Sequence, residues 1–198
     1  MNNYGKNNIK LFLTKVYDYC SFKLLLKYLN LKIWYLGKKF SRVKPKNLFI
    51  DCGSNLGQGF KFFKNYFKLN NFDYILIEPN PHCANTLKKL TNDKVSFIGK
   101  GVWTKEEKLN LFSKFINEDK HDEGASFLKN HNSAIHDLSN EAFSEIETIS
   151  LSDLIKEKKP AYNSIIVKLD IESSEFIVIP DLVEKKSIEL IDHIFVEF

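Results

Sequence analysis

The chain is 198 residues long, enough for one ordinary domain with a buried core and too short for two of normal size. With 43% hydrophobic residues it is not predominantly disordered, and 8 Gly, 5 Pro and 3 Cys exclude collagen-like and disulfide-scaffold classes. The formal net charge of +4 conceals a segregation: residues 1–46 hold eleven basic residues and one acid (Asp18), a net +10, whereas residues 47–198 carry −6.

Residues 1–46 read as a basic helical extension. Leu11, Leu24, Leu25, Tyr28, Leu29 and Trp34, interspersed with lysines, suit amphipathic helices. The most apolar stretch, Phe22 to Leu36, is interrupted by Lys23, Lys27 and Lys32 and is too polar to span a bilayer. Two readings stay open: a helix packed on the main domain, or a surface that approaches an anionic membrane or acidic substrate. No signal peptide is recognisable. Cys20, Cys52 and Cys83 form no C-x-x-C pair, so free thiols in a reducing compartment are expected, and with them a cytoplasmic location, peripheral to a membrane at most.

From residue 47 the pattern becomes α/β. Leu48 to Ile50 is a short apolar run ending in Asp51, followed by the turn Gly53-Ser54-Asn55-Leu56-Gly57 and by Phe60, Phe63, Phe67 and Leu69 at near-helical spacing. Tyr74 to Ile77 predicts a second strand ending at Glu78. Asn80 then reads as an N-cap with Pro81 at the first helical position. Val95 to Ile98 predicts the third strand, Leu109–Phe112 and Ile146–Ile149 two extra strands around a polar loop, and Ser150 with Asp153 a helix start. Ile165 to Leu169, ending at Asp170, and Ile194 to Val196, before Glu197, complete the series. Strands apolar throughout and alternating with helices imply a mostly parallel sheet covered on both faces, with ligands at the carboxyl ends of its strands. Asp51, Glu78, Asp170 and Glu197 all fall at such ends.

The first turn has the form D-x-G-x-N-x-G rather than the pyrophosphate fingerprint G-x-G-x-x-G, which makes dinucleotide binding the weaker reading. Glu78 follows Gly57 by 21 residues, close to the separation of about 20 expected for an acid that accepts from ribose hydroxyls. An adenosyl ligand without phosphates fits better. Asp51-Cys-Gly-Ser-Asn-Leu-Gly57, Ile77-Glu-Pro-Asn-Pro81 and Val167-Lys-Leu-Asp-Ile-Glu-Ser-Ser-Glu-Phe176 together resemble the FkbM family of S-adenosylmethionine-dependent methyltransferases, over about Asn47 to Phe198. Gly101-Val102-Trp103, Gly124-Ala125-Ser126-Phe127-Leu128 and Ile149 to Leu154 fit the same pattern.

The resemblance implies a Rossmann-like class I methyltransferase fold and O-methylation of a sugar, glycan or related hydroxylated metabolite. By position, Asp51, Gly53, Ser54, Asn55 and Gly57 would line the methionine and ribose side of S-adenosylmethionine. Glu78 would hold the ribose with Asn80 nearby, and Lys100 and Gly101 would border the adenine. Lys168, Asp170 and Glu172 would face the methyl group and acceptor. If the strand stays extended through Glu172, alternation puts those three on one side. Asp170 is then the first choice for the base that takes the hydroxyl proton and Glu172 the second. A divalent cation shared by the two is an alternative that the spacing does not indicate, and a neutralising network at a strand end is the bland one.

Two features depart from the family. Ser173 stands where the family has glycine, and serine there would strain a left-handed turn; the chain reaches Phe198 as the fifth core strand ends, so the family's C-terminal strands are expected to be missing, and an open sheet edge would favour a homo-oligomer. Glu175 is expected to favour the start of the next helix, Glu197 to border the site, and His82 to face the cofactor rim. His121, His131 and His136, in the polar 114–140 loop, read as solvated residues of a substrate lid, so no metal site is expected. The 17 Phe are ordinary core, without the basic pairing of a nucleic-acid surface. The +10 segment favours an anionic acceptor. The rival to an enzyme is a reduced, non-catalytic Rossmann-like module that binds a nucleoside ligand or a protein partner.

Overall fold

The computed structural model describes residues 23–40, 46–112, 124–128 and 142–197. Cys20, the three loop histidines and Phe198 lie outside them. The chain divides into two compact units, Met1–Lys39 and Phe40–Phe198. The described part of the first lies in a helix, α1 (residues 23–40). Among the described residues no helix is long and apolar enough to cross a membrane.

The second unit is a Rossmann-like α/β fold. Its elements are β1 (Asn47–Cys52), α2 (Gln58–Phe63), β2 (Phe72–Ile77), α3 (Pro81–Lys88), β3 (Val95–Ile98), β4 (Gly101–Trp103), β5 (Lys108–Phe112), β6 (Ala142–Ser150), α4 (Leu151–Lys158), β7 (Ser164–Leu169), α5 (Glu175–Glu184) and β8 (His193–Val196). The central sheet has the order β3-β2-β1-β7-β8, parallel throughout. A second, three-stranded sheet, β4-β6-β5, pairs β4 with β6 in parallel and β5 with β6 in antiparallel fashion. Every strand expected from the apolar runs forms.

The helix starts follow from local chemistry. Asn80 Oδ1 accepts the N–H of His82 with Pro81 at the first helical position, and Ser150 Oγ accepts the N–H of Asp153. The phenylalanine series after Gly57 is helical only through Phe63, although Phe67 is still fully buried.

Alternation along β1 and β7 separates two kinds of core. Leu48, Ile50, Ile165 and Val167 join Ile155, Val178 and Leu182 in an aliphatic layer. Phe49 points the other way, with its ring centroid 5.0 Å from Phe63, 5.2 Å from Tyr74 and 5.4 Å from Phe67. Asp51 and Lys168, two residues beyond Phe49 and Ile166, belong to that same aromatic side. The parallel register sets them opposite one another. Neither can reach bulk water easily: Asp51 is fully buried and Lys168 is 9% exposed.

The extended backbone of β7 ends at Leu169, so the alternation expected to carry Glu172 onto the side of Lys168 and Asp170 does not persist. The chain instead turns through two consecutive left-handed residues, Glu172 at φ +53° and Ser173 at φ +70°. Glu175 does not merely sit in the first turn of α5: it is buried, and its carboxylate accepts the N–H of Ile171, which pins this turn.

Two stability predictions follow from these positions. Lys168→Met should destabilise the fold by about 3–5 kcal/mol, because it strands the Asp51 carboxylate, and adding Asp51→Asn should restore most of that loss. Ser173→Gly should raise stability by about 1 kcal/mol by relieving the left-handed serine, net of the added unfolded-chain entropy. Urea denaturation of the full chain measures both.

Candidate functional site

The loop after β1 is stitched to the end of β2. Gly53 and Ser54 both donate backbone N–H bonds of 3.0 Å to Ile77 O, while Ser54 Oγ donates to Asp51 O at 2.7 Å and accepts from Ile77 N at 3.1 Å. Gly53 lies against the β7 loop: a Cβ there would come 1.7 Å from the carbonyl oxygen of Asp170, and its φ is +75°. Only glycine permits that approach. The contact brings the carboxyl ends of β1 and β7 together and divides the rim of the sheet into two adjoining cavities.

The first cavity is a cleft with about 580 Å³ of empty space, part of it open to solvent. Glu78, Asn55, Asp170 and Glu172 line it together with the apolar Ile77, Pro79 and Ile171. Val102, Leu111, Ala125 and Phe127 complete the wall. Among the described residues it is lined by three carboxylates and by no lysine or arginine. Glu78 is almost buried, with Oε2 accepting the N–H of Asn55 at 2.8 Å and Oε1 the N–H of Asn80 at 2.9 Å. Burial pushes its carboxyl above the usual range, and those two bonds pull it back. A carboxylate fixed in this way, with lone pairs left on each oxygen, can still accept from two neighbouring hydroxyls.

The second cavity is larger and more open, about 1160 Å³. Gln58, Gly59 and Phe62 of the α2 region line it together with Lys168, Glu172 and Glu197. Gly53, Asn55, Asp170 and Glu172 belong to both cavities. Under this boundary lies an ion cluster. Lys168 Nζ is 2.8 Å from Asp170 Oδ2 and 3.4 Å from Asp51 Oδ1, and donates to Gly53 O at 3.3 Å. Burial works against the ammonium, but the Asp51 and Asp170 carboxylates outweigh it and hold Lys168 above its ordinary value. Burial likewise pushes Asp51 up, and Lys168 pulls it back.

Of the residues singled out from the sequence, Gly53, Asn55, Glu78, Asp170 and Glu172 therefore meet at the first cavity, and Ser54 and Lys168 join the second. The others are placed elsewhere. Asp51 lines neither cavity and serves the ion cluster. Gly57 is the residue before α2, and Asn80 caps α3 as well as donating to Glu78. Lys100 pairs with Glu147 at 3.0 Å on the surface, outside both cavities. Gly101 acts indirectly: a Cβ on it would lie 2.2 Å from the Phe127 ring, so its bareness lets Phe127 lie over the first cavity. His82 borders neither cavity. Among the described residues no group of three or more His, Cys, Asp or Glu side chains could hold a metal.

The apolar wall was missed by reasoning from polar motifs. Its one visible signal is the Gly124–Leu128 stretch. Ser126 there exchanges backbone hydrogen bonds with Phe112 and donates through Oγ to Glu172 O at 2.7 Å, which ties the wall to the β7 turn.

No known family's sequence model matches this chain, and no curated protein does either. One solved structure found in the comparison is that of the methyltransferase FkbM from Methylobacillus flagellatus KT, at 17% identity and a TM-score of 0.47. The match covers 78% of this chain and 34% of that one, so the chain spans about a third of the length of that protein.

Proposed function

We propose that the protein is an S-adenosylmethionine-dependent methyltransferase, with the nucleoside end of the donor in the first cavity and a neutral, hydroxylated acceptor such as a sugar in the second. One observation carries this reading: two cavities of different character meet at Asp170 on the carboxyl edge of a parallel sheet, and among the described residues the donor side is lined by three carboxylates and by no lysine or arginine. Phosphate groups would be repelled there, whereas a sulfonium and an ammonium would be favoured. The apolar wall of Ile77, Pro79, Val102, Leu111 and Phe127 suits an adenine ring, and Glu78 is held where ribose hydroxyls can donate to it. The residues present fit the cofactor.

When bound, S-adenosylmethionine supplies an electrophilic methyl group for in-line displacement. This chain's own residues supply position and a proton acceptor. Asp170, shared by both cavities, accepts the proton of the acceptor hydroxyl as the oxygen attacks, which is worth roughly 10²–10⁴-fold. Lys168 is its positioning residue, since its bond to Oδ2 fixes the carboxylate at the boundary. Glu172 is the second candidate for the base.

The second cavity supports a neutral acceptor rather than the anionic one expected from the basic N-terminus. Asp170, Glu172 and Glu197 line it, and its lysine is already engaged by two carboxylates. Phe62, 41% exposed, offers an aromatic face for the C–H side of a sugar ring.

Calorimetry of the full chain with S-adenosylmethionine, S-adenosylhomocysteine and NAD tests the cofactor: binding of the first two is expected, and NAD binding without them overturns the reading. Glu78→Gln should weaken S-adenosylhomocysteine about tenfold, the loss of one charge-assisted bond. Asp170→Asn should leave that affinity within about twofold and slow methyl transfer, scored with labelled donor on a panel of sugars, by roughly 10²-fold or more. Equal losses of affinity in the two variants would refute the division of roles.

A further inference from the structure

The helix α1 carries on its outside a feature that no catalytic reading uses. Leu24, Tyr28, Leu31 and Tyr35 recur at i, i+4, i+7 and i+11, so they form one row along the helix. All four are open to solvent, at 68%, 62%, 62% and 62% exposure. On the opposite side only the last turn is buried, at Leu36, Gly37 and Phe40, while Leu26 and Leu29 are 42% and 41% exposed. The helical turn places Lys27 and Lys38 along one flank of the row and Lys32 and Lys39 along the other. Trp34, 49% exposed, stands beside the row with the Lys38 ammonium 5.2 Å from its ring centroid. Residues 23–40 contain five lysines and no acid.

We propose that this face of α1 is an interfacial anchor that lies flat on an anionic lipid bilayer. An exposed apolar row of this kind is rare on a surface that meets only water. Its composition specifies the occupant. Leucines flanked on both sides by lysines match a plane that is apolar below and negatively charged above: the leucines enter the acyl boundary while the long lysine stems reach back to the headgroups. Trp34, Tyr28 and Tyr35 have the amphipathic rings that settle at headgroup depth. The absence of any acid leaves the charge match unopposed. The helix lies on the membrane and does not cross it, in keeping with its lysine content.

The test uses the full chain and vesicles of phosphatidylcholine, alone or with about a third phosphatidylserine. Co-sedimentation with the anionic vesicles only, released by high salt, is expected, together with a blue shift of tryptophan emission that Trp34→Phe removes. Lys27→Gln/Lys32→Gln should lower partitioning about 30-fold, equivalent to roughly 1 kcal/mol for each lysine near an anionic surface. Leu24→Asn/Leu31→Asn should abolish the blue shift. These positions are exposed, so thermal melting should not change, and the salt and lipid dependence of the unmodified chain needs no variant. Equal binding to neutral vesicles, no binding to either kind, or a doubled mass in solution without vesicle binding would each overturn the proposal, the last by assigning the row to a second copy of the chain. Calorimetry with S-adenosylhomocysteine is independent of all these outcomes.

Discussion

One buried ammonium organises the centre of this molecule. Lys168 reaches Asp51 on the neighbouring strand, Asp170 at the end of its own, and the carbonyl of Gly53 in the loop between β1 and α2. Those three points belong to the three segments that must converge for the rim of the sheet to hold two cavities. A buried ion pair of this kind need not stabilise a fold more than well-packed hydrophobic side chains would, because desolvation offsets most of the attraction. Its effect here is positional. Asp51 without Lys168 would be a bare charge in the aromatic core, so alternative registers of β1 against β7 that separate the two are strongly disfavoured. The same ammonium that pairs with Asp51 donates to Asp170 Oδ2 and orients it at the boundary between the cavities.

That arrangement explains which parts of the site were legible in the sequence. The strands are readable because each is apolar throughout, a pattern that both-face burial requires. The helix starts at Asn80 and Ser150 are readable because capping is local chemistry. Glu78 is readable for a related reason: its partners, the N–H groups of Asn55 and Asn80, lie in motifs that already announce a turn. Asp51 looks the same in one dimension, an acid at a strand end, yet it turns inward. Nothing nearby in the sequence reveals this, since the difference comes from a cross-strand neighbour more than a hundred residues away and from which face of β1 the aromatic layer covers.

Glu172 and Lys100 show two further limits. Alternation is a property of extended backbone, and β7 stops one residue before Asp170, so extrapolating the pattern to Glu172 used a rule beyond its range. Glu172 nevertheless reaches both cavities, because two left-handed residues in succession bend the chain back over the rim. Serine in place of glycine at 173 conceals that turn, as the usual signal for positive φ is missing. Lys100 sits next to a residue that matters, Gly101, but its own side chain is drawn to Glu147 on the surface strand β6. What forms the wall there is an apolar ring from a distant loop, Phe127, and the glycine contributes only the space it leaves.

The charge segregation of the chain acquires a physical meaning from these placements. The acids of residues 47–198 include the ones that line the two cavities, which suit the cationic donor and neutral acceptor proposed above. In that proposed arrangement the lysines of residues 23–40 are not needed to act on the acceptor. At physiological ionic strength charges are screened over about 8 Å, so each set acts on what lies directly against it rather than on the chain's sum of +4. A uniform distribution of the same residues would weaken both effects: lysines at the cavities would oppose a sulfonium, and acids along α1 would oppose anionic headgroups. Keeping the two charge sets apart in sequence lets one chain present opposite potentials to the cofactor and to the lipid surface proposed above.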